Sequence, residues 1–427
     1  MSLFPPTFKN HGVRLDLGQK LAAMKLGLFR VPGGNFLEGN TLDTRFAWKN
    51  TIGRPEERPG HQNTAWGYWS TDGFGILDYL KLAEDIGAQP LLALFAGYTL
   101  NGQHVSQADY PQYVQEALDE IEYAIGDAST TWGAKRIADG HPAPFDLHYV
   151  EVGNEDWFDG SGSYAWRFTD MYNAIKAKYP QLTVIATTGG LQGGAASSTP
   201  TGVRPDAADD HYYQSPQWFT DNSTRYDTAD RSGPEILVGE YGAQDGRPTG
   251  TLAAAIGEAA FLTGLERNSD IVIGSMYAPV LVHENQSNWP VNLIGLDAGS
   301  SYGSPSYWVQ QMFSSTLGKQ IVTSRLSQGS PLRQVVNVTT KSGRKTFTVK
   351  LVNPTGQVQT ARLALTGVTA VDGTGTLTTL TGDPAGRNSL AAPTAIVPQT
   401  REITGLAATS KLTLPANSVT TLVMTGR

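Results

Sequence analysis

Between residues 28 and about 281, short apolar runs alternate with longer stretches of helical period, and this alternation limits the fold more than any other feature of the sequence. A chain that keeps passing from strand to helix lays its strands in parallel and covers them with the helices. The strand-like runs are 28–31, 90–95, 147–152, 183–187, 207–212, 235–238 and 271–276. Helical period marks 15–26, 74–86, 113–125, 164–179 and 252–265; in the second of these Leu77, Leu80, Leu82 and Ile86 supply the apolar repeat. Seven strands fall one short of an eight-stranded barrel, and before residue 15 only "SLFPPTF" offers another, with two prolines against it. Beyond about residue 319 helical period disappears, and Thr, Val and Gly alternate in runs such as "KTFTVKLVN", "ARLALTG" and "SVTTLVMTG". That texture predicts a β-sandwich. The expected architecture is α/β: a (β/α)8 TIM-type barrel over 1–318, its first strand apparently absent from this chain, with a C-terminal β-sandwich domain over 319–427.

With 427 residues the chain can bury a large core, so other properties decide its partners. Net charge is −7, only 17% of residues are charged, and like charges form no block, which argues against nucleic acid or an anionic membrane as partner. A neutral ligand fits better. Nine Trp and 17 Tyr permit carbohydrate binding, because flat apolar rings with a polar edge suit sugar faces, although most serve the core. Without Cys the chain has no disulfide and no thiolate metal site, and cysteine usage gives no redox compartment. "MSLFPPTFKN" lacks a leader pattern and no 18 apolar residues run together, so the chain reads as soluble. Sequons at Asn222, Asn285 and Asn337 hint at export, and hence at a secreted protein. The segment 189–202, "GGLQGGAASSTPTG", reads as a Gly/Ser-rich loop after a strand.

In a parallel βα barrel the loops at the carboxyl ends of the strands build the active face. Those ends carry "RVPGGNFLEG", "FAGY", "EVGNED", "TTGG", "DDHYY", "VGEYG" and "MYAP". Two of them present a Glu among small or polar neighbours, Glu155 and Glu240. A carboxylate between Gly and Tyr at a strand tip is awkward as a surface charge. Two such acids at one barrel mouth form the pair used in glycoside hydrolysis, and a separation of roughly 5 to 5.5 Å would give retention of configuration.

Eight segments in order, "FRVPGGNFLEG" (29–39), "WKNTIG" (48–53), "RPGH" (58–61), "WGYWSTDGFG" (66–75), "VEVGNED" (150–156), "DDHYYQSPQWF" (209–219), "GEYGAQ" (239–244) and "YGSPSYWVQQMFS" (302–314), resemble the α-L-arabinofuranosidases of glycoside hydrolase family 51, especially the fungal-type branch. The resemblance implies a retaining, exo-acting enzyme that removes terminal arabinofuranose from arabinoxylan or arabinan and needs no metal or other cofactor. It implies Glu155 as acid/base and Glu240 as nucleophile. Glu38 and Asn154 would hold the sugar, and a Tyr of the "HYY" segment, Tyr213 in preference to Tyr212, would contact the nucleophile. His211, placed with the substrate-binding residues, would orient the Tyr or carboxylate network, and Trp66, Trp69 and Trp157 could pave the cleft, with packing the better reading for any one of them. As the acid, Glu155 must keep its proton near neutral pH, which partial burial and the charge of Glu240 would favour. Relatives of this branch carry an N-terminal segment with the first barrel strand, so a separate N-terminal fragment could complete the barrel.

Other readings stand beside these. Asp209, Asp210 and His211 are possible metal ligands by type, but consecutive strand residues point to opposite faces and do not all converge. His61 fits a satisfied loop histidine and a site-lining one equally. Gly33 and Gly34 suit a tight turn that lets Glu38 approach the ring. An endo-acting β-glucanase or xylanase using the same carboxylates, and a carbohydrate-binding scaffold without catalysis, are the alternative functions.

Overall fold

A computed structural model describes residues 6–188 and 202–427. The loop expected over 189–202 lies outside these residues except for its last position, as does most of the "SLFPPTF" segment. Seven parallel strands form one sheet in chain order: β1 (Leu28–Val31), β2 (Gln89–Leu94), β3 (Tyr149–Val152), β4 (Thr183–Thr187), β5 (Ala207–Gln214), β6 (Glu235–Ala243) and β7 (Val272–Tyr277). The register sets Val31 beside Leu92, Leu92 beside Val150 and Val150 beside Val184. Leu91 to Leu94 are buried on both faces, as a parallel strand covered on both sides must be. Among the described residues before β1 there is one isolated bridge, Thr7 to Arg14, and no further strand.

Helices follow the predicted period closely. The helix Ile76–Ile86 buries Ile76, Leu77, Leu80 and Ala83 and ends at Gly87, whose left-handed φ of 76° closes it. Tyr110–Ile125, Tyr164–Lys178 and Leu252–Arg267 lie where expected, while Leu15–Ala23 stops three residues early. Four α-helices among the described residues escaped the sequence reading, the longer Thr131–Ala138 and Pro305–Ser314 and the short Asn35–Glu38 and Pro216–Asp221. The first has weak apolar period because an arginine fills its core position: Arg136 is fully buried and donates to the carbonyls of Tyr123, Ala124, His141 and Pro142.

Two compact units divide the chain. The first comprises Met1–Ala22, Leu26–His211 and Arg231–Gly239, and the second Ala23–Lys25, Tyr212–Asp230 and Glu240–Arg427. The core of the first runs from Val31 through Leu92–Leu94 and Val150 to Ala186. In the second, every strand pair recorded after residue 319 is antiparallel. A six-stranded sheet orders Gln320–Ile321, Arg333–Lys341, Arg344–Asn353, Ser418–Gly426, Val371–Thr381 and Gln399–Thr404, and Gln359–Ala364 pairs separately with Thr409–Leu414. Within this unit Lys350, fully buried, donates to Glu266 Oε2 at 2.6 Å and to the Phe313 carbonyl. Asn337 is equally buried and donates to Glu266 Oε1 at 2.6 Å and to the Thr316 carbonyl. Its sequon is therefore inaccessible in the fold, which corrects one of the three. Asn285 is exposed. Among the described residues no helix is long and apolar enough to cross a membrane.

Candidate active site

The first unit gathers one set of functional side chains at the ends of β1, β3 and β5. After β3 the chain turns through Gly153, at φ +93°, where an added Cβ would come within 2.0 Å of Asp156 Oδ2. Only glycine leaves that space. Asp156 uses it to accept the Asn154 amide at 3.0 Å, and its other oxygen takes 2.7 Å from the buried Arg167 guanidinium, which also holds Asp159. The acid of this run that sequence reasoning left without a role is thus the anchor of the loop. Between Asn154 and Asp156, Glu155 adopts a left-handed φ of 49°, a conformation that costs a non-glycine residue about 1–3 kcal/mol and persists where surrounding structure imposes it.

Asn154 is buried with both ends of its amide engaged: Nδ2 donates to Glu38 Oε1 at 3.0 Å and Oδ1 accepts from Arg30 Nη2 at 2.8 Å. Glu38, on the short turn Asn35–Glu38, also accepts from Asn35 Nδ2, whereas its buried Oε2 meets no partner among the described residues. Burial pushes the Glu38 carboxyl well above the usual range despite those two donors. Tyr98, from the "FAGY" strand end, is pushed up to about 12 by burial and by the charges of Asp156, Glu38, Asp159 and Glu155.

Behind Glu155 lies a row of buried ionisable groups. Glu155 Oε1 is 2.9 Å from His211 Nδ1, and His211 Nε2 is 2.7 Å from Asp209 Oδ2. Asp209 Oδ1 accepts the Gly239 amide at 2.6 Å; a Cβ on Gly239 would stand 2.3 Å from that oxygen, so the first glycine of "GEYG" is required by this bond. Glu151, in the middle of β3, pairs with Arg30 Nε at 2.5 Å. Burial drives the Glu151 carboxyl well up and neighbouring Asp209 adds to the effect, although Arg30 opposes both. Burial is the largest single effect on Asp209 and raises it, but the charge and hydrogen bond of His211, the hydrogen bond of Glu151 and the charge of Arg30 together hold that carboxyl below its ordinary value.

Glu151, Asp209 and His211 bring ligand atoms within 4.8 Å of one another. The alternation of strand residues is why Asp209 and His211 share a face without Asp210. Arg30 already places a positive charge on Glu151 Oε2, and Asp209 is held by His211 and the Gly239 amide, so the donor set fits a hydrogen-bonded network better than a metal centre.

In the second unit, Tyr213 donates its hydroxyl to Glu240 Oε2 at 2.7 Å, and its ring meets Trp289 edge-on at 5.0 Å. Both residues lie within strands rather than in loops, because β5 and β6 continue to Gln214 and Ala243 where the sequence suggested ends at 212 and 238. The glycines that weakened the strand signal serve close packing: a Cβ on Gly242 would stand 2.8 Å from Val291 Cγ2. Alternation turns Tyr241 the other way, into the core, where Gln310 donates to its hydroxyl at 2.5 Å.

Among the expected residues, the structure brings Glu38, Asn154, Glu155, His211 and Trp157 together in one unit and Tyr213 with Glu240 in the other. Two expectations of substrate contact need correction. Tyr212 is fully buried, its hydroxyl 2.8 Å from that of Tyr226 and accepting from Arg225 Nε at 2.9 Å, because the residue before Tyr213 must face the opposite side of the strand. His211 has both ring nitrogens engaged by carboxyl groups, so it stands behind Glu155 rather than against a sugar. Trp157 is half-buried, edge-on to His211 at 4.9 Å, with an indole N–H that meets no acceptor among the described residues. His61 binds Asp72 Oδ1 through Nδ1 at 2.8 Å, while its buried Nε2 is unpartnered. Sequence reasoning missed Arg30, Glu151 and Asp209 as a set; the available signal was an acid inside the apolar run "YVEV".

A carboxyl on a hydrogen-bonded network, as in the first unit, and a carboxyl on a phenol, as in the second, are each of a kind that glycoside hydrolases use. The α-L-arabinofuranosidase 1 domain matches residues 20–231, and the α-L-arabinofuranosidase C-terminal domain matches residues 237–418. α-L-Arabinofuranosidase 2 of Arabidopsis thaliana is 38% identical over 396 residues, covering 92% of this chain and 57% of that protein. The extracellular exo-α-L-arabinofuranosidase of Streptomyces chartreusis is 37% identical over 351 residues, covering 76% of this chain and 41% of that protein. A solved arabinose-bound GH51 α-L-arabinofuranosidase superimposes with a TM-score of 0.92 at 40% identity, covering 99% of this chain and 69% of the solved one. The chain belongs to the glycoside hydrolase family 51 α-L-arabinofuranosidases. It spans little more than half the length of the Arabidopsis relative.

Proposed function

We propose that the chain is a retaining, exo-acting α-L-arabinofuranosidase that releases terminal arabinofuranose from arabinoxylan or arabinan side chains. The observation that carries this reading is that the "GNE" and "GEYG" glutamates each have a partner suited to the chemistry required of them, Glu155 with His211 and Glu240 with the Tyr213 hydroxyl. In the first step the Glu240 carboxylate attacks the anomeric carbon through an oxocarbenium-like state. The glycosidic C–O bond breaks with its electron pair going to the leaving oxygen, which takes the proton of Glu155. Water then gives a proton to Glu155 and its oxygen to the anomeric carbon, releasing arabinose and freeing Glu240. Asn154, Glu38 and the Trp157 indole are the groups that hold the sugar; Glu38 Oε2 and the indole N–H have no partner among the described residues, and Asn154 is buried against Glu38 and Arg30. A covalently bound sugar needs no metal.

Within this reading residues 1–318 form the catalytic barrel and 319–427 a β-sandwich domain. Export fits the name of the Streptomyces relative, and Asn285 is the sequon exposed enough for a glycan. The test is the fate of an aryl arabinofuranoside. Proton NMR of the fresh product should reveal the starting anomer, and Glu240→Ala should lose about 10⁴-fold or more in kcat, recovered in part by azide with an inverted glycosyl azide as product. Full activity of Glu240→Ala refutes the assignment, and short oligomers from an undecorated glucan or xylan would favour the endo-acting alternative.

A further inference from the structure

The proposed reaction asks Glu155 to release a proton and later take one back, and the groups behind it are placed for that demand. His211 is fully buried between two carboxyl groups, with Nδ1 at 2.9 Å from Glu155 and Nε2 at 2.7 Å from Asp209. The ring is held by Trp157 edge-on at 4.9 Å, and Asp209 by the Gly239 amide at 2.6 Å. An ionised Asp209 requires a proton on Nε2, which fixes that end of the ring. One step further back, the Arg30 guanidinium holds Glu151 Oε2 at 2.5 Å, and burial pushes the Glu151 carboxyl well above its ordinary value. With Nε2–H held by Asp209, a proton on Nδ1 as well makes the ring a cation that faces Glu155 Oε1 at 2.9 Å, and a cation there favours Glu155 in its ionised form.

We propose that Asp209 and His211 are a positioning dyad for the acid/base: Asp209 holds Nε2–H, and the doubly protonated ring donates Nδ1–H to Glu155 Oε1, stabilising the carboxylate formed as Glu155 passes its proton to the leaving oxygen. The Nδ1 proton stays on the ring throughout; the one proton transferred is that of Glu155. Neither residue touches the sugar. The inference rests on the arabinofuranosidase reading, and it makes Asp209 matter in proportion to how much help the leaving group needs.

The experiment compares Asp209→Asn with the unaltered protein on two substrates, an alkyl arabinofuranoside and a dinitrophenyl arabinofuranoside. The alkyl glycoside needs protonation of its oxygen and should turn over about 10- to 100-fold more slowly in the variant, a share of the 10²–10⁴ that general acid catalysis provides. In kcat/KM, which reports only the glycosylation step, the dinitrophenyl glycoside needs no proton and should change by less than about threefold. Equal losses on both substrates would mark Asp209 as merely structural and overturn the proposal. If the unaltered protein turns over neither substrate, the arabinofuranosidase reading itself fails, before any variant is made. A second measurement needs no variant at Asp209: nitrogen-15 NMR of labelled histidine, with the His211 signals assigned by their loss in His211→Gln, should find both ring nitrogens protonated at neutral pH. An unprotonated Nδ1 would sink the dyad.

Discussion

Within the first unit Glu155 is backed by ionisable side chains, whereas in the second Glu240 accepts the phenol hydroxyl of Tyr213. Behind Glu155 stand His211, Asp209, Glu151 and Arg30, all engaged with one another in the interior. Glu240 is held by the Tyr213 hydroxyl, and its strand neighbour Tyr241 is anchored to Gln310. On the roles proposed above, the contrast follows from what each acid has to do. An acid that changes protonation twice per turnover benefits from neighbours whose charge can answer its own, while a nucleophile that must stay ionised benefits from fixed donors.

The contrast can be broken most directly at Glu155. Glu155→Ala should lower kcat/KM on an alkyl arabinofuranoside by about 10²–10⁴-fold and lower the glycosylation step of a dinitrophenyl arabinofuranoside far less, read by steady-state and burst kinetics. If the two substrates suffer alike, Glu155 is not the proton donor and the difference between the halves disappears. On the nucleophile side, Tyr213→Phe removes one charge-assisted donor and should cost about 10- to 100-fold. That loss should be similar for both leaving groups, because it acts on Glu240 and not on the departing oxygen. A leaving-group dependence in Tyr213→Phe would place Tyr213 with the acid.

The smallest effect concerns stability and tests the protonation of a buried carboxyl in the second unit. Glu258, buried on Leu252–Arg267, accepts the Ala243 amide at 2.9 Å, three residues beyond Glu240. Burial raises its carboxyl from the ordinary 4.5 to about 8, so it is neutral at pH 7. The folded state thus binds a proton that the unfolded state has released between these values. The stability this proton provides is complete below about pH 4.5 and lost as pH rises through about 8. Between pH 5 and pH 9 the unaltered protein should lose on the order of a few kcal/mol relative to Glu258→Gln, seen as a widening gap in Tm. A gap that does not grow with pH would mean that Glu258 is ionised throughout.

Much of this was legible in the chain. Helical period placed Ile76–Ile86 and Leu252–Arg267, and the strand runs placed β1 and β4 to the residue. Thr131–Ala138 was not legible, because Arg136 occupies its buried face and periodicity counts an arginine as polar. The ends of β5 and β6 were set too short for a related reason: glycines in "VGEYG" lower strand propensity, yet Asp209 and Val291 leave no room for a larger residue there. Glu155, Glu240 and Asn154 stood out because an unusual polar residue at a strand end is a local signal. Tyr212 and His211 could not be sorted from Tyr213 by composition, since all three share one segment and only the strand's two faces tell them apart.

By itself the sequence determined the alternating βα order and the change to antiparallel strands near residue 319, and it singled out the two glutamates as candidates, all from residues close in the chain. Tertiary structure alone decided that Glu151, Asp209 and His211 meet behind Glu155, with Arg30 from 121 positions away paired to Glu151. The physical reason is that a carboxyl's protonation depends on how near other charges lie and how far water is kept away. Both are properties of three-dimensional packing that no local stretch of sequence contains.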